Sequence, residues 1–145
     1  MRLFRIIPIS ILLITMTAIA GVAQTKTELR PAYICGFAAS FNDSTVYLTE
    51  IQSFDSVLVD SKTKFLTERE SYSYQLKEYL KSVGFTNPTC ITLFAFKRSD
   101  IEKKYLKLKK KYTKGGRFDV RYLTSSDFKF VAIKKTDKVF VGATR

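Results

Sequence analysis

Between Cys90 and Phe96 the chain reads Cys-Ile-Thr-Leu-Phe-Ala-Phe, apolar on both faces of an extended backbone until Lys97. A strand with no solvated side belongs in the middle of a sheet. Ser99 follows, with Glu102 three residues on in the spacing of a capping box. Ile101, Tyr105, Leu108 and Tyr112 then form an apolar stripe at helical spacing, and Gly115-Gly116 ends it. With a further strand over Asp119 to Leu123, this strand, helix, strand passage predicts a right-handed crossover that lays the helix on one face of the sheet.

Upstream, Tyr33, Cys35, Phe37, Ala39 and Phe41 alternate with mostly small residues, as in a strand. Asn42-Asp43-Ser44 supplies turn residues, and Thr45 to Ile51 resumes β-branched and aromatic usage, so the two runs are expected to pair antiparallel. From Asp60 to Gly84 the period changes. Tyr72, Leu76, Tyr79, Leu80 and Val83 share a helix face that stops at Gly84, while Asp60-Ser61 and Thr67 with Glu70 compete as its start. Strands are also expected over Phe128 to Ile133 and, shorter, over Val139 to Val141. The order is ββαβαββ. It predicts an α+β two-layer sandwich, a mixed sheet of about four to six strands with two helices on one face.

The N-terminus reads Met-Arg-Leu-Phe-Arg, then an apolar stretch from Ile6 to Ala20, then Gly21-Val22-Ala23. This succession is that of a secretion signal cleaved after Ala23, too short and too interrupted by Pro8 to span a bilayer. Residues 24–145 are then one small basic α+β domain, exported to a periplasmic or extracellular setting, with no transmembrane segment after cleavage. In an oxidising compartment Cys35 and Cys90 are expected to close into a disulfide, which the chain-entropy account values at about 4 kcal/mol for a loop of this length. The other reading of the pair is two buried thiols acting as small hydrophobes.

The segments FAASFNDS, VDSKTKFL, YSYQLKEYL and LFAFKRSDIEKKYLKLKKKY together resemble small exported proteins of Bacteroidota that carry no known activity. The resemblance implies a bacterial envelope or surface setting and brings no catalytic or binding residues. The peptidoglycan-binding repeat of cell-division proteins is also a small exported sheet-and-helix module, but its βαββαβ order differs from the order read here.

The chain contains no histidine, which removes Ser-His-Asp and Cys-His arrangements and every histidine-containing metal site. No GxGxxG or GxxxxGK[ST] loop is present, so neither cofactor nor metal is expected. Glu50, Asp55, Asp60, Glu68, Glu70 and Glu78 leave a carboxylate-only hydrolase acting on cell-wall or host glycan formally open, with no spacing that favours one pair. No catalytic residue is assigned.

Charge is the conspicuous feature, 25 basic against 13 acidic residues for a formal net charge of +12. The second helix carries Lys103, Lys104, Lys107, Lys109, Lys110, Lys111 and Lys114, with Arg117 just beyond. Lys103, Lys107, Lys110 and Lys114 recur on one face opposite the apolar stripe. That face is either a solvated surface favoured by the helix dipole or a binding surface for an anionic partner, such as phospholipid, lipopolysaccharide, acidic glycan or an acidic protein, with help from Lys134, Lys135 and Lys138. Nucleic acid fits poorly with export. The tyrosines on the helix stripes are core residues, and Tyr74, off its stripe, is the exception.

Overall fold

The computed structural model describes residues 26–134; the export signal, Lys135, Lys138 and the strand expected over Val139 to Val141 lie outside the described residues. Seven elements succeed one another: β1 (Thr27–Ser40), β2 (Asp43–Thr49), β3 (Gln52–Asp60), α1 (Arg69–Ser82), β4 (Thr89–Ala95), α2 (Arg98–Thr113) and β5 (Asp119–Leu123). The α+β class stands, with a mixed sheet of five strands and two helices packed on it.

β1 is the axis of the sheet. β2 pairs antiparallel with its C-terminal part, Phe37 opposite Leu48. β3 pairs antiparallel with its N-terminal part, from Ile34 opposite Gln52 to Thr27 opposite Asp60. β4 runs antiparallel beside Tyr33 to Ala39, with Cys35 opposite Leu93 and Ala38 opposite Cys90. Because a strand has only two edges, β4 takes one of them, and β2 and β3 lie end to end along the other. β5 adds parallel to β2, Thr45 opposite Asp119.

The helices do not share a face, contrary to the expectation of two helices on one side. Ala32, Ile34 and Ala38 pack with Tyr72, Leu76 and Leu80 of α1. Cys35 packs with Ile101, and Phe37 with Tyr105, Leu108 and Tyr112 of α2. The registers explain this. β3, β4 and β5 all run antiparallel to β1; the chain crosses to the far edge of β1 through α1 and returns through α2. Two crossovers of one hand travelling in opposite directions place their helices on opposite faces. β1 is accordingly buried on both sides from Ile34 to Ala38 and holds the central place that the sequence suggested for β4; β4 instead lies at an edge, paired among the described residues with β1 alone and exposed at Thr89 and Ile91.

Gly36 lets α1 approach. A Cβ there would lie 2.7 Å from Leu76 Cδ2 and 3.0 Å from the Phe130 ring, while its N–H donates to Thr49 Oγ1 at 2.8 Å. β3 escaped the sequence reading because its alternation slips. Asp55 and Ser56 together stand opposite Pro31, a bulge that lets Phe54, Val57 and Val59 reach the same core. Pro31, with no N–H to give a ladder, sits at that irregularity.

Two expected caps are absent. Lys97 is the N-cap of α2 and no side chain caps it, so the Ser99–Glu102 box does not form; Glu102 instead accepts from Arg98 Nε at 3.0 Å. At α1 the cap is Glu68 in left-handed backbone, and its side chain caps no backbone N–H. Asp60 accepts the N–H groups of Lys62 and Thr63, and Thr67 Oγ1 donates to the Leu58 carbonyl.

The expected strand over Phe128 to Ile133 does not form: the segment joins no ladder among the described residues. Its main chain is held by side chains. Gln52 Nε2 donates to the Phe128 carbonyl at 3.1 Å and Gln52 Oε1 accepts the Phe130 N–H at 2.8 Å. Gln75 repeats the arrangement with Val131, at 2.9 and 2.8 Å, and Tyr72 Oη accepts the Ile133 N–H at 3.1 Å. Phe128, Phe130 and Ile133 are thereby fixed in the core between α1 and the sheet.

Candidate functional site

α2 follows from local chemistry. Asp100 lies in its first turn and Lys110 and Lys111 in its last, matching the helix dipole. Gly115 and Gly116 then take left-handed φ values of 88° and 65° that end the helix. Ile101 is fully buried, and Tyr105, Leu108 and Tyr112 are half-buried against the sheet. This orientation turns Lys103, Lys107, Lys110 and Lys114 to solvent, with Arg117 exposed just beyond. Among the described residues none of the five takes part in an ion pair. Lys103 and Lys114 stand about 17 Å apart along the axis at 1.5 Å per residue.

Neighbouring lysines have other employment. Lys104 donates to the Phe94 carbonyl at 3.0 Å and lies 5.5 Å from the Phe94 ring centroid. Lys109 reaches the Tyr122 ring and Lys111 the Tyr112 ring, at 5.3 and 5.6 Å. The long charge run therefore divides into cations that pack and cations that project. Lys134 is exposed near the end of the described chain.

The sequence reading passed over Leu106, which is 59 % exposed in the midst of the lysines. With Lys109, Lys110 and Thr113 it lines a shallow groove of about 330 Å³. Its signal was available, three residues from Lys103 and four from Lys110 and so on their face, but it was absorbed into a pattern read only for charge.

Two open clefts flank the free edge of β4. One, of about 740 Å³, lies on the α1 side and includes Tyr74, Lys77, Cys90 and Ile91; Tyr74, the tyrosine off its stripe, is 40 % exposed there. The other, of about 520 Å³, lies on the α2 side and includes Arg30, Phe94, Phe96, Asp100 and Lys103. Between them the edge is closed by a cation from each helix. Arg69 Nε donates to the Thr92 carbonyl at 2.7 Å, as Lys104 does to that of Phe94.

Cys35 and Cys90 do not form the expected disulfide; both thiols are free. Cys35 packs beneath α2 and Cys90 beside the α1 core, on opposite faces of the sheet and three rungs apart in register, a geometry no disulfide bridges. Burial pushes the Cys35 thiol up to about 12 and the Cys90 thiol up to about 11, so neither is a ready nucleophile.

Four of the six carboxylates of the hydrolase alternative are engaged by other groups. Glu50 accepts from the N–H and hydroxyl of Ser125, Glu68 from the hydroxyl of Ser71, and Glu78 pairs with Lys81. Asp60 is held below the usual carboxylate range by the Thr63 N–H, the opposite of what a general acid needs. Among the described residues no group of three or more potential ligands could hold a metal, and no helix is long and apolar enough to cross a membrane.

Comparison of the chain with protein-family models, curated proteins and solved structures gives no match. The projecting lysines of α2, with Arg117 and Leu106, are the feature that most clearly departs from what folding requires.

Proposed function

We propose that this chain is a non-enzymatic exported protein of the bacterial envelope that associates with an anionic partner through the outer face of α2. The observation that carries the reading is the exposure of Lys103, Lys107, Lys110 and Lys114 without an ion-pair partner among the described residues, while Lys104 and Lys109 turn to aromatic and backbone groups. A solvated face tolerates mixed signs, whereas here the acids of the helix are confined to its N-terminal end, at Asp100 and Glu102. The export signal read from residues 1–23 gives the compartment.

Each lysine near a negatively charged surface contributes about 1 kcal/mol, screened within a Debye length of about 8 Å at physiological ionic strength. Reversing Lys103, Lys107 and Lys110 to glutamate replaces three attractions by three repulsions. The triple variant is expected to lose co-sedimentation with phosphatidylglycerol-containing vesicles by at least about a hundredfold in affinity. Its circular dichroism is expected to match the wild type, because all three side chains are exposed. Wild-type binding that ignores salt, or a folded triple variant that binds undiminished, contradicts the reading.

A further inference from the structure

Phe41 is 98 % exposed, the most exposed of the large hydrophobic residues described. With Asn42 it makes the two-residue turn between Ser40 and Asp43, a position that small polar residues fill well. Among the described residues its ring makes no aromatic or cation contact.

Its surroundings suit one kind of partner. Tyr112 stacks on Phe37 with centroids 4.6 Å apart, and Phe118 meets Tyr112 edge-on at 5.0 Å. Those contacts fix the last turn of α2, and the Gly115-Gly116 turn after it, at the hairpin end of the sheet. Asp119 pairs there with Thr45, two residues from the start of β2. Lys111, Lys114 and Arg117 are all exposed at this end, and Phe118 is 37 % exposed beside them. Two acids lie at the same end. Asp43 is exposed and accepts the Thr45 N–H at 2.9 Å, and Asp119 is paired with Arg121 at 3.1 Å, so Asp43 is the one acid there without an ion pair among the described residues, against Lys114 and Arg117.

We infer that the β1–β2 hairpin tip is a bilayer anchor, with Phe41 entering the acyl boundary of an anionic membrane while Lys114 and Arg117 remain at its headgroups. The inference rests on the proposed anionic association and chooses its partner. A soluble polyanion without apolar groups is recognised by the cations alone, and an exposed phenyl ring adds nothing to such a complex. A membrane interface takes both, apolar group inward and cations outward.

The chain contains no tryptophan, so Phe41→Trp makes a single reporter at a position where exposure guarantees that folding is undisturbed. With vesicles of phosphatidylethanolamine and phosphatidylglycerol, its emission is expected to shift to the blue and to be quenched by lipids brominated in the acyl chain. With polyglutamate, a soluble polyanion, binding is expected without the shift. Phe41→Ala should weaken vesicle binding by about tenfold, from the apolar area no longer buried, and leave polyglutamate binding unchanged. Hydrated emission from a vesicle-bound Trp variant, or undiminished vesicle binding by Phe41→Ala, overturns the anchor and leaves the lysine face in place. Binding to polyglutamate with none to vesicles overturns the anchor in favour of an acidic polymer. Failure of the wild type to bind either probe at low salt removes the proposed function and the anchor together.

Discussion

Gln52 offers the sharpest test of how the fold is held. Its side chain is 5 % exposed and spends both ends of its amide on one strandless segment, as donor to Phe128 and acceptor from Phe130. Gln52→Ala removes both bonds and strands a carbonyl and an N–H whose residues are 8 % and 3 % exposed. A buried polar group left unpaired costs about 1–3 kcal/mol, so the variant should lose about 2–5 kcal/mol, a large part of the total for a domain of this size. At roughly 4 °C per kcal/mol the melting temperature falls by about 8–20 °C.

Gln52→Glu separates hydrogen bonding from shape. As a neutral acid the new side chain can donate to Phe128 and accept from Phe130; as a carboxylate it points a charged oxygen at a carbonyl in a buried site. Its folded pKa is therefore raised above the unfolded value of about 4.3. The deficit relative to wild type should be small below about pH 4 and grow as pH rises, by up to about 1.4 kcal/mol per unit until the folded pKa is passed. Urea melts of the three proteins from pH 4 to 8, with hydrogen exchange at the Phe130 amide, measure both effects. A Gln52→Ala protein within about 0.5 kcal/mol of wild type, or a pH-independent Gln52→Glu deficit, would refute the claim that side-chain amides substitute here for a sheet ladder.

Two further outcomes follow from the packing. Cys35 and Cys90 should both react with a thiol reagent only after denaturation or, for the half-buried Cys90, slowly before it, and intact mass should be the same with and without reductant; a mass gain of two hydrogens on reduction contradicts the facing of the two strands' side chains. Gly36→Ala should cost about 1–3 kcal/mol by thermal melt, because Leu76 and the Phe130 ring already occupy the space of the new methyl group; a neutral effect would show that α1 is not tightly seated.

The elements with one clean period were legible. β5 falls on the expected residues, and the stripe from Ile101 to Tyr112 faces the sheet as read. What escaped was set by partners distant in sequence. The bulge at Asp55-Ser56 exists because Pro31 stands across from it, so the β3 run taken alone shows no alternation. Phe128 to Ile133 carries a strand's pattern, but the groups that hold its backbone are Gln52, Tyr72 and Gln75, tens of residues away. The pairing of the cysteines was argued from compartment, whereas parity along β1 and β4 decides their faces. In the candidate surface, the lysine spacing alone gave the exposed face, while the exposure of Phe41 depended on a turn just two residues long, one fewer than Asn42-Asp43-Ser44 suggested.

The closure of the β4 edge has a consequence for how copies of this protein meet. A sheet margin with unpaired carbonyls is a template, and molecules gathered at high local density can extend one another's sheets through the backbone regardless of side-chain identity. Thr92 and Phe94 point their carbonyls to that margin, and both are already engaged by cations from helices on opposite sides of the sheet. Crowding at a surface can therefore raise the number of neighbours without fusing them into a continuous sheet along β4.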